Sequence, residues 1–332
     1  MSETLTKEQV RQWGEALGFE RVGFGPANEP SGSRTRLQAW LDRGYHASMA
    51  WMARDPIRRV DPERILEGAR SVIAVALVYD MPEPVPAAPG LPKVSRYAHG
   101  DDYQEVIGTK LRQLADQIRG AVPEAKVRIA CDTSPILEKP FAESAGLGWI
   151  GKNACLIHPR LGSWFFLGEL FTTISFPPDP LITDLCGSCT RCLDACPTGA
   201  LSEPYVLDSN RCISYRNIEH RGPHPASWRA QMGEWLVGCD ICQEVCPWNR
   251  KAPVSREPRF APRAELTTVR AEEWEAMDDG EYRQRVKGTA ITRIKPADMR
   301  RNASVVRENL ARSSGRASEF PDADDAPLPE RE

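Results

Sequence analysis

Eight of the ten cysteines in this 332-residue chain lie between positions 186 and 246, and their spacing limits what can fold around them. The first run reads Cys186-x2-Cys189-x2-Cys192-x3-Cys196-Pro197, the spacing of a bacterial ferredoxin site. Three thiolates this close on one loop reach three irons of a single cubane. The fourth, carried onto the next turn by the x3 gap and the proline, faces a neighbouring cluster. Zinc is the competing reading, but zinc sites pair two CxxC-type knuckles across a longer gap, and four cysteines packed into one short run suit a tetrahedral ion poorly. The second run, Cys239-x2-Cys242-x3-Cys246-Pro247, has Leu236 where its first cysteine belongs. Cys212 is the unused cysteine between the runs and is the natural replacement. Cys186, Cys189, Cys192 and Cys246 then hold one [4Fe–4S] cluster, and Cys196, Cys212, Cys239 and Cys242 hold the other. Cys131 and Cys155 remain, and both read as buried, inert thiols.

Cysteines used this way suit a reducing compartment. The first residues carry no apolar signal-like core, and the longest apolar stretch, Ser71 to Tyr79, is too short to span a bilayer. The expected location is cytoplasmic. The net charge of -3 gives no global reason to expect nucleic acid, yet from Tyr282 to Arg316 ten Lys/Arg face two Asp/Glu. From Ala317 onward six acids face one arginine.

Thr6 with Gln9 is a capping-box signature for a helix carrying Val10, Trp13 and Leu17 on one face and ending at Gly18. Strands are expected at Arg21 to Phe24, Ser71 to Tyr79, Lys126 to Asp132 and Ser163 to Ile174. Helices are expected at Arg36 to Asp42, with Leu37, Trp40 and Leu41 inward, and through Ile107, Leu111, Leu114 and Ile118 to a C-cap at Gly120. Pro82 to Pro92 reads as an extended loop. Strands alternating with helices give an α/β first domain over 1–176. A two-cluster insert follows over 177–251, then a short helical region over 252–312 with Ala303, Val306 and Leu310 at helical spacing. The acidic tail, 313–332, is too poor in apolar residues to order itself. Two cubanes within hopping reach form a wire that passes electrons singly. An electron carrier needs no α/β domain in front and no basic segment behind, so an enzyme is the better reading.

Several further blocks carry a family resemblance. They are Arg58-Arg59-Val60-Asp61-Pro62, Leu66 to Ile73, Ser95-Arg96-Tyr97-Ala98-His99-Gly100-Asp101-Asp102-Tyr103, Asp132-Thr133 with Ala142 to Asn153, Cys196 to Leu201, and Arg211 to Tyr215. With them the chain resembles the epoxyqueuosine reductases, cobalamin-dependent enzymes that finish queuosine synthesis on tRNA. The resemblance implies that residues 1–176 bind base-off cobalamin and that a HEAT-like helical region contacts the tRNA. It places Arg59, Asp132, Asn153, Ser214 and Asp240 around the corrinoid, with Asp132 as the proton donor. It also implies an external electron donor such as a flavodoxin or ferredoxin. Gln104 departs from the family, which commonly has His after Asp-Tyr, and the C-terminal region is shorter than in some members. Dense positive charge makes Arg300, Arg301 and Arg307 the expected phosphate contacts. The competing functions are a dehalogenase-like cobalamin reductase of a small molecule and a ferredoxin-type carrier.

Overall fold

The structure is a computed structural model that describes residues 5–82 and 90–313. Part of the proline-rich loop and the acidic tail beyond Ser313 lie outside the described residues. The strands are β1 (Arg21–Pro26), β2 (Ser71–Val78), β3 (Lys93–Val94), β4 (Val127–Ala130), β5 (Trp149–Ile150), β6 (Leu156–Ile157), β7 (Phe165–Thr172) and β8 (Trp235–Val237). The helices that place the site are α1 (Lys7–Ala16), α2 (Ser33–Asp42), α3 (Tyr103–Ala121) and α4 (Glu138–Ser144).

The main sheet has the order β1-β2-β7-β4, and every pairing in it is antiparallel. Mixed α/β structure is therefore built here without parallel βαβ units. β2 is buried at all eight positions because helices cover both of its faces. Ile73, Val75 and Leu77 pack with Val10 of α1 and Ile107, Leu111, Leu114 and Ile118 of α3. Ala74, Ala76 and Val78 pack with Ala142 on α4. The alternation of large and small residues along one strand thus sorts a deep face from a close one. On the close face α4 comes so near that a Cβ at Gly23 would lie 2.3 Å from the Ala145 carbonyl oxygen. Each fully buried α3 leucine or isoleucine contributes about 1.5–3 kcal/mol over an exposed one.

The Thr6–Gln9 capping box forms on α1, and Gly18 follows with φ of 93°. α3 runs one residue past Gly120 and is capped at Val122, so the glycine sits inside the last turn. At its start the Asp102 carboxylate accepts from the Gln104 amide N–H at 3.0 Å, which fixes the first turn. Of the three residues expected inward on α2, Leu37 is buried while Trp40 and Leu41 are half-buried.

The division into 1–176, 177–251 and 252–312 is crossed by two features. β3 pairs in parallel with β8. One hydrophobic cluster also unites Val94 and Ala98, Leu236 and Val237, and Trp274, Ile291, Met299 and Val306. Leu236, which stands where a cysteine was missing, is fully buried in that cluster. The C-terminal helix Pro296–Ser313 packs against β8 and the helix Ala271–Ala276. Among the described residues no helix is long and apolar enough to cross a membrane.

Candidate active site and cluster-binding site

The eight cysteines of the two runs gather into two groups. Cys186, Cys189, Cys192 and Cys246 line one small cavity, together with Lys152, Leu185 and Trp248. Burial, then the neighbouring Cys186 and Cys189, push the Cys192 thiol up to about 11. Burial, then Cys186 and Cys192 among its neighbours, push Cys246 up to about 12. In the second group burial raises Cys239, and Cys212 and Cys196 add to it. Cys212 in turn feels Cys196, and Cys242 feels Cys239 and Cys212. Thiolates crowded like this oppose one another's ionisation unless cations lie between them. The donor set therefore suits a cationic iron core. Among the described residues no three His, Cys, Asp or Glu side chains converge on one ion. Thiols spread around a cavity fit a cluster, whose irons occupy separate corners, better than a tetrahedral zinc.

Backbone and side-chain donors already point at the sulfurs. Trp149 Nε1 donates to Cys186 Sγ at 3.4 Å and Ala200 N to Cys196 Sγ at 3.3 Å. Such bonds tune a cluster's potential. Lys152 Nζ donates to the carbonyls of Gly187 and Cys189 and holds the first loop in shape. The two spare cysteines differ from each other. Cys131 packs into the core beside α3 and points its thiol at the Leu167 carbonyl at 3.7 Å. Cys155 lies beside the Cys242 thiol, which lowers the Cys155 pKa to about 7, so it is a direct neighbour of a candidate ligand and not a bystander.

A second, larger cleft of about 930 Å³ opens where β4, α3 and the cysteine insert meet. Arg59, Asp132, Ser214 and Cys212 all line it. Typical small-molecule pockets hold roughly 300–1,000 Å³, so this cleft is at the upper end and has room for a macrocyclic cofactor. Cys212 brings the second thiol group to its wall. Among the five residues expected around the corrinoid, Asn153 and Asp240 do not line it, and both spend their polar atoms elsewhere. Asn153 donates to the Cys242 carbonyl at 3.3 Å and accepts from Cys155 N at 3.1 Å. Asp240 is almost fully buried, with its pKa raised to about 6 chiefly by burial. Its carboxylate accepts from the Ser95 hydroxyl and, at 2.8 Å, from Arg96 N. Gly238, at φ of 67°, lets this contact form, because a Cβ there would come within 2.4 Å of Ser95 Cβ.

Arg59 is buried, and its guanidinium donates to the carbonyls of Trp51 at 2.6 Å and Met52 at 3.2 Å. Its own carbonyl accepts from Leu137 N at 2.9 Å. The residue thus ties the Trp51 turn to the loop that carries Asp132, both of which line the cleft. Asp132 follows the carboxyl end of β4 and is exposed to the cleft. Its φ is 51°, a left-handed conformation in which the strand cannot continue. Its N–H is bound by the Glu138 carboxylate, and its Oδ2 accepts from Gln104 Nε2 at 2.5 Å. Burial pushes Glu138 up to about 7. Behind it Glu169, fully buried on β7, has no hydrogen-bond partner for either carboxyl oxygen. Burial followed by Glu138 raises its pKa well above the usual range, so it stands protonated. Sequence reasoning marked Gln104 only as a departure from the family and missed Glu138 and Glu169. Only Glu169 left a local signal, a lone acid inside the apolar run Phe165 to Phe171.

The three arginines expected on phosphates are engaged within the chain. Arg300 pairs with Asp279 at 2.8 Å, and Arg307 with Glu275 at 2.6 Å. Arg301 donates to the carbonyls of His220 and Gly222 and pairs with Asp298. Charge density in the sequence did not reveal that acidic and carbonyl partners come from other segments. Arg54, by contrast, is exposed at the cleft.

The family model described as a 4Fe-4S double cluster binding domain matches residues 185–249. The one described as Epoxyqueuosine reductase QueG, DUF1730, matches residues 59–133. Among curated proteins the chain is 43% identical over 307 residues to the epoxyqueuosine reductase of Synechococcus, covering 92% of this chain and 94% of that one. It is 41% identical over 318 residues to that of Escherichia coli, covering 93% and 83%. A crystal structure of epoxyqueuosine reductase with an epoxyqueuosine-modified tRNA-Tyr stem loop superimposes with TM-score 0.87 at 31% identity, over 93% of this chain and 82% of that one. The Bacillus subtilis enzyme, solved with a catalytic aspartate loop swung out of the active site, matches with TM-score 0.86 at 30% identity, over 93% and 82%.

Proposed function

The chain belongs to the epoxyqueuosine reductase family, and from that premise we propose that it reduces epoxyqueuosine to queuosine in tRNA at the cleft between β4 and the cysteine insert. The observation that carries this reading is that Cys212 and Asp132 line the same cleft. A redox ligand and an acid thereby face one reacting group.

Two [4Fe–4S] clusters are assigned to Cys186, Cys189, Cys192 and Cys246, and to Cys196, Cys212, Cys239 and Cys242. Cobalamin belongs in the cleft beside Arg59, Ser214 and Asp132, where its low-valent cobalt supplies reducing power that no side chain has. Removal of the epoxide oxygen consumes two electrons and two protons and leaves an alkene and water. Held by Cys196, Cys212, Cys239 and Cys242, a cluster would supply electrons at the cleft wall one at a time. Asp132 gives a proton to the departing oxygen, with Asp102 beside it on the cleft wall and the carboxyl groups of Glu138 and Glu169 behind its loop. Arg59 holds two lining loops together, which keeps Asp132 at a set distance from the opposite wall. The tRNA reaches the cleft with its wobble nucleoside extruded, as single-stranded bases commonly are when proteins read RNA. Asn153 and Asp240 serve the cysteine loops and not the corrinoid. An acidic one-electron carrier protein is the external donor.

The test is anaerobic reconstitution with iron, sulfide and cobalamin, followed by nucleoside analysis of tRNA bearing epoxyqueuosine. Queuosine should form only with a low-potential reductant and cobalamin present. A protein loaded with both clusters and corrinoid that forms none would overturn the assignment.

A further inference from the structure

We propose that Gln104 and Glu138 are positioning residues that clamp Asp132 from two sides and present one of its carboxyl oxygens to the cleft. This rests on the reading of Asp132 as the proton donor. The clamp is built from two different elements. Gln104 lies in the first turn of α3, which the Asp102 cap holds in place. Glu138 opens α4, which packs on the close face of the main sheet. Asp132 sits between them in a left-handed conformation that only its surroundings stabilise. Glu138 takes the backbone N–H, so the residue cannot relax back into the direction of β4. Gln104 takes Oδ2 through an amide N–H, a donor that has no acidic proton to exchange. The proton to be transferred is therefore carried on Oδ1, the oxygen that Gln104 does not bind. Neither clamp reacts, and each acts through Asp132.

The titratable or charged groups around Asp132 are Asp102, Tyr97, Tyr103, Cys131, Glu138 and, across the cleft, Arg293. Replacing Gln104 changes the charge of none of them. Gln104→Leu keeps the bulk and removes the donor. With clusters and cobalamin loaded, kcat should fall about tenfold or more while KM for tRNA stays unchanged, because orientation and not binding is lost. The alkaline limb of the pH profile, where the donor loses its proton, should move to higher pH, since a hydrogen bond that favours the carboxylate has gone. Gln104→His, whose ring N–H can donate, should restore most of the rate. Glu138→Gln keeps an acceptor for the Asp132 N–H and should stay close to wild type, whereas Glu138→Leu should lose rate as Gln104→Leu does.

The decisive arm is the double variant. In an Asp132→Asn background Gln104→Leu should cost nothing further, because residues that act as one unit are not additive. Melting temperatures and cluster and corrinoid spectra, taken on every variant, separate lost orientation from lost structure. Full kcat and an unmoved pH profile in Gln104→Leu, with Asp132→Asn inactive, overturn the clamp alone. Full activity in Asp132→Asn removes the proton-donor reading and the clamp together.

Discussion

The two groups of four cysteines follow one ferredoxin plan but sit at opposite ends of the redox path. Cys186, Cys189, Cys192 and Cys246 surround a cavity next to exposed leucines, with Leu181 67% and Leu185 38% accessible. The Cys212 group lies inward, with Ile213, Val237 and Asp240 buried around it, and it reaches the cleft through Cys212. One motif, placed twice, thus acquires two settings. On the proposed function, electrons would arrive at the set beside the exposed leucines and leave from the one that shares a wall with Asp132.

That asymmetry can be broken most severely at Cys212. Cys212→Ala should take iron content towards one cluster and abolish turnover with any reductant, because it removes the set beside the cleft. Full iron and sulfide in that variant would end the ligand assignment. Asp132→Asn should leave clusters, corrinoid and tRNA affinity intact and lower conversion by about 10²-fold or more, the scale of general acid catalysis. Cys189→Ala sharpens the contrast from the outer side. Turnover with a protein donor should collapse, while a small low-potential reductant that can reach the inner set should restore a measurable part of it. Equal loss with both reductants would show that the two sets have no inner and outer roles.

Smaller effects test whether the basic segment takes part at all. Arg301→Ala leaves two carbonyls without their donor and the largely buried Asp298 carboxylate with Arg221 as its remaining partner, and should cost about 1.5–3 kcal/mol in denaturant unfolding. Arg300→Glu and Arg307→Glu should change stem-loop affinity less than Arg54→Glu does. Arg54→Glu at the cleft should reduce the slope of affinity against salt by about one. A larger loss from the Arg300 and Arg307 changes would return phosphate binding to the C-terminal helix.

What could be read from the chain alone follows the range of each interaction. The cysteine grouping was legible because ligand spacing is local and counting closes it, and the capping box of α1 because it spans four residues. β2 was legible because a strand covered on both faces must be apolar at every position. Its neighbours were not, since antiparallel pairing to β1 and β7 depends on segments 50 and 95 residues away along the chain. Asp132 drew attention through family resemblance. Gln104 stood out as a departure from the family, but its contact with Asp132 did not, because it precedes Asp132 by 28 residues and belongs to a helix. The partners of the arginines were hidden for the same reason. Charge is written locally, but Asp279, Glu275 and the His220 carbonyl that neutralise or bind it are brought in by packing.

The seam where Asp240 meets Ser95 and Arg96 has a consequence for electron flow. Asp240 lies between Cys239 and Cys242, so the loop that carries two thiols is fastened to the turn that presents Tyr97 to the cleft. Electron tunnelling weakens steeply with distance, and its barrier rises with the nuclear rearrangement each hop demands. A loop fixed by a buried carboxylate, with a glycine pressed against its neighbour, yields little when a cluster gains or loses charge. On the proposed function the seam would hold the last hop short and its reorganisation small, so loosening it at Ser95 should slow reduction of the cleft without touching a single ligand.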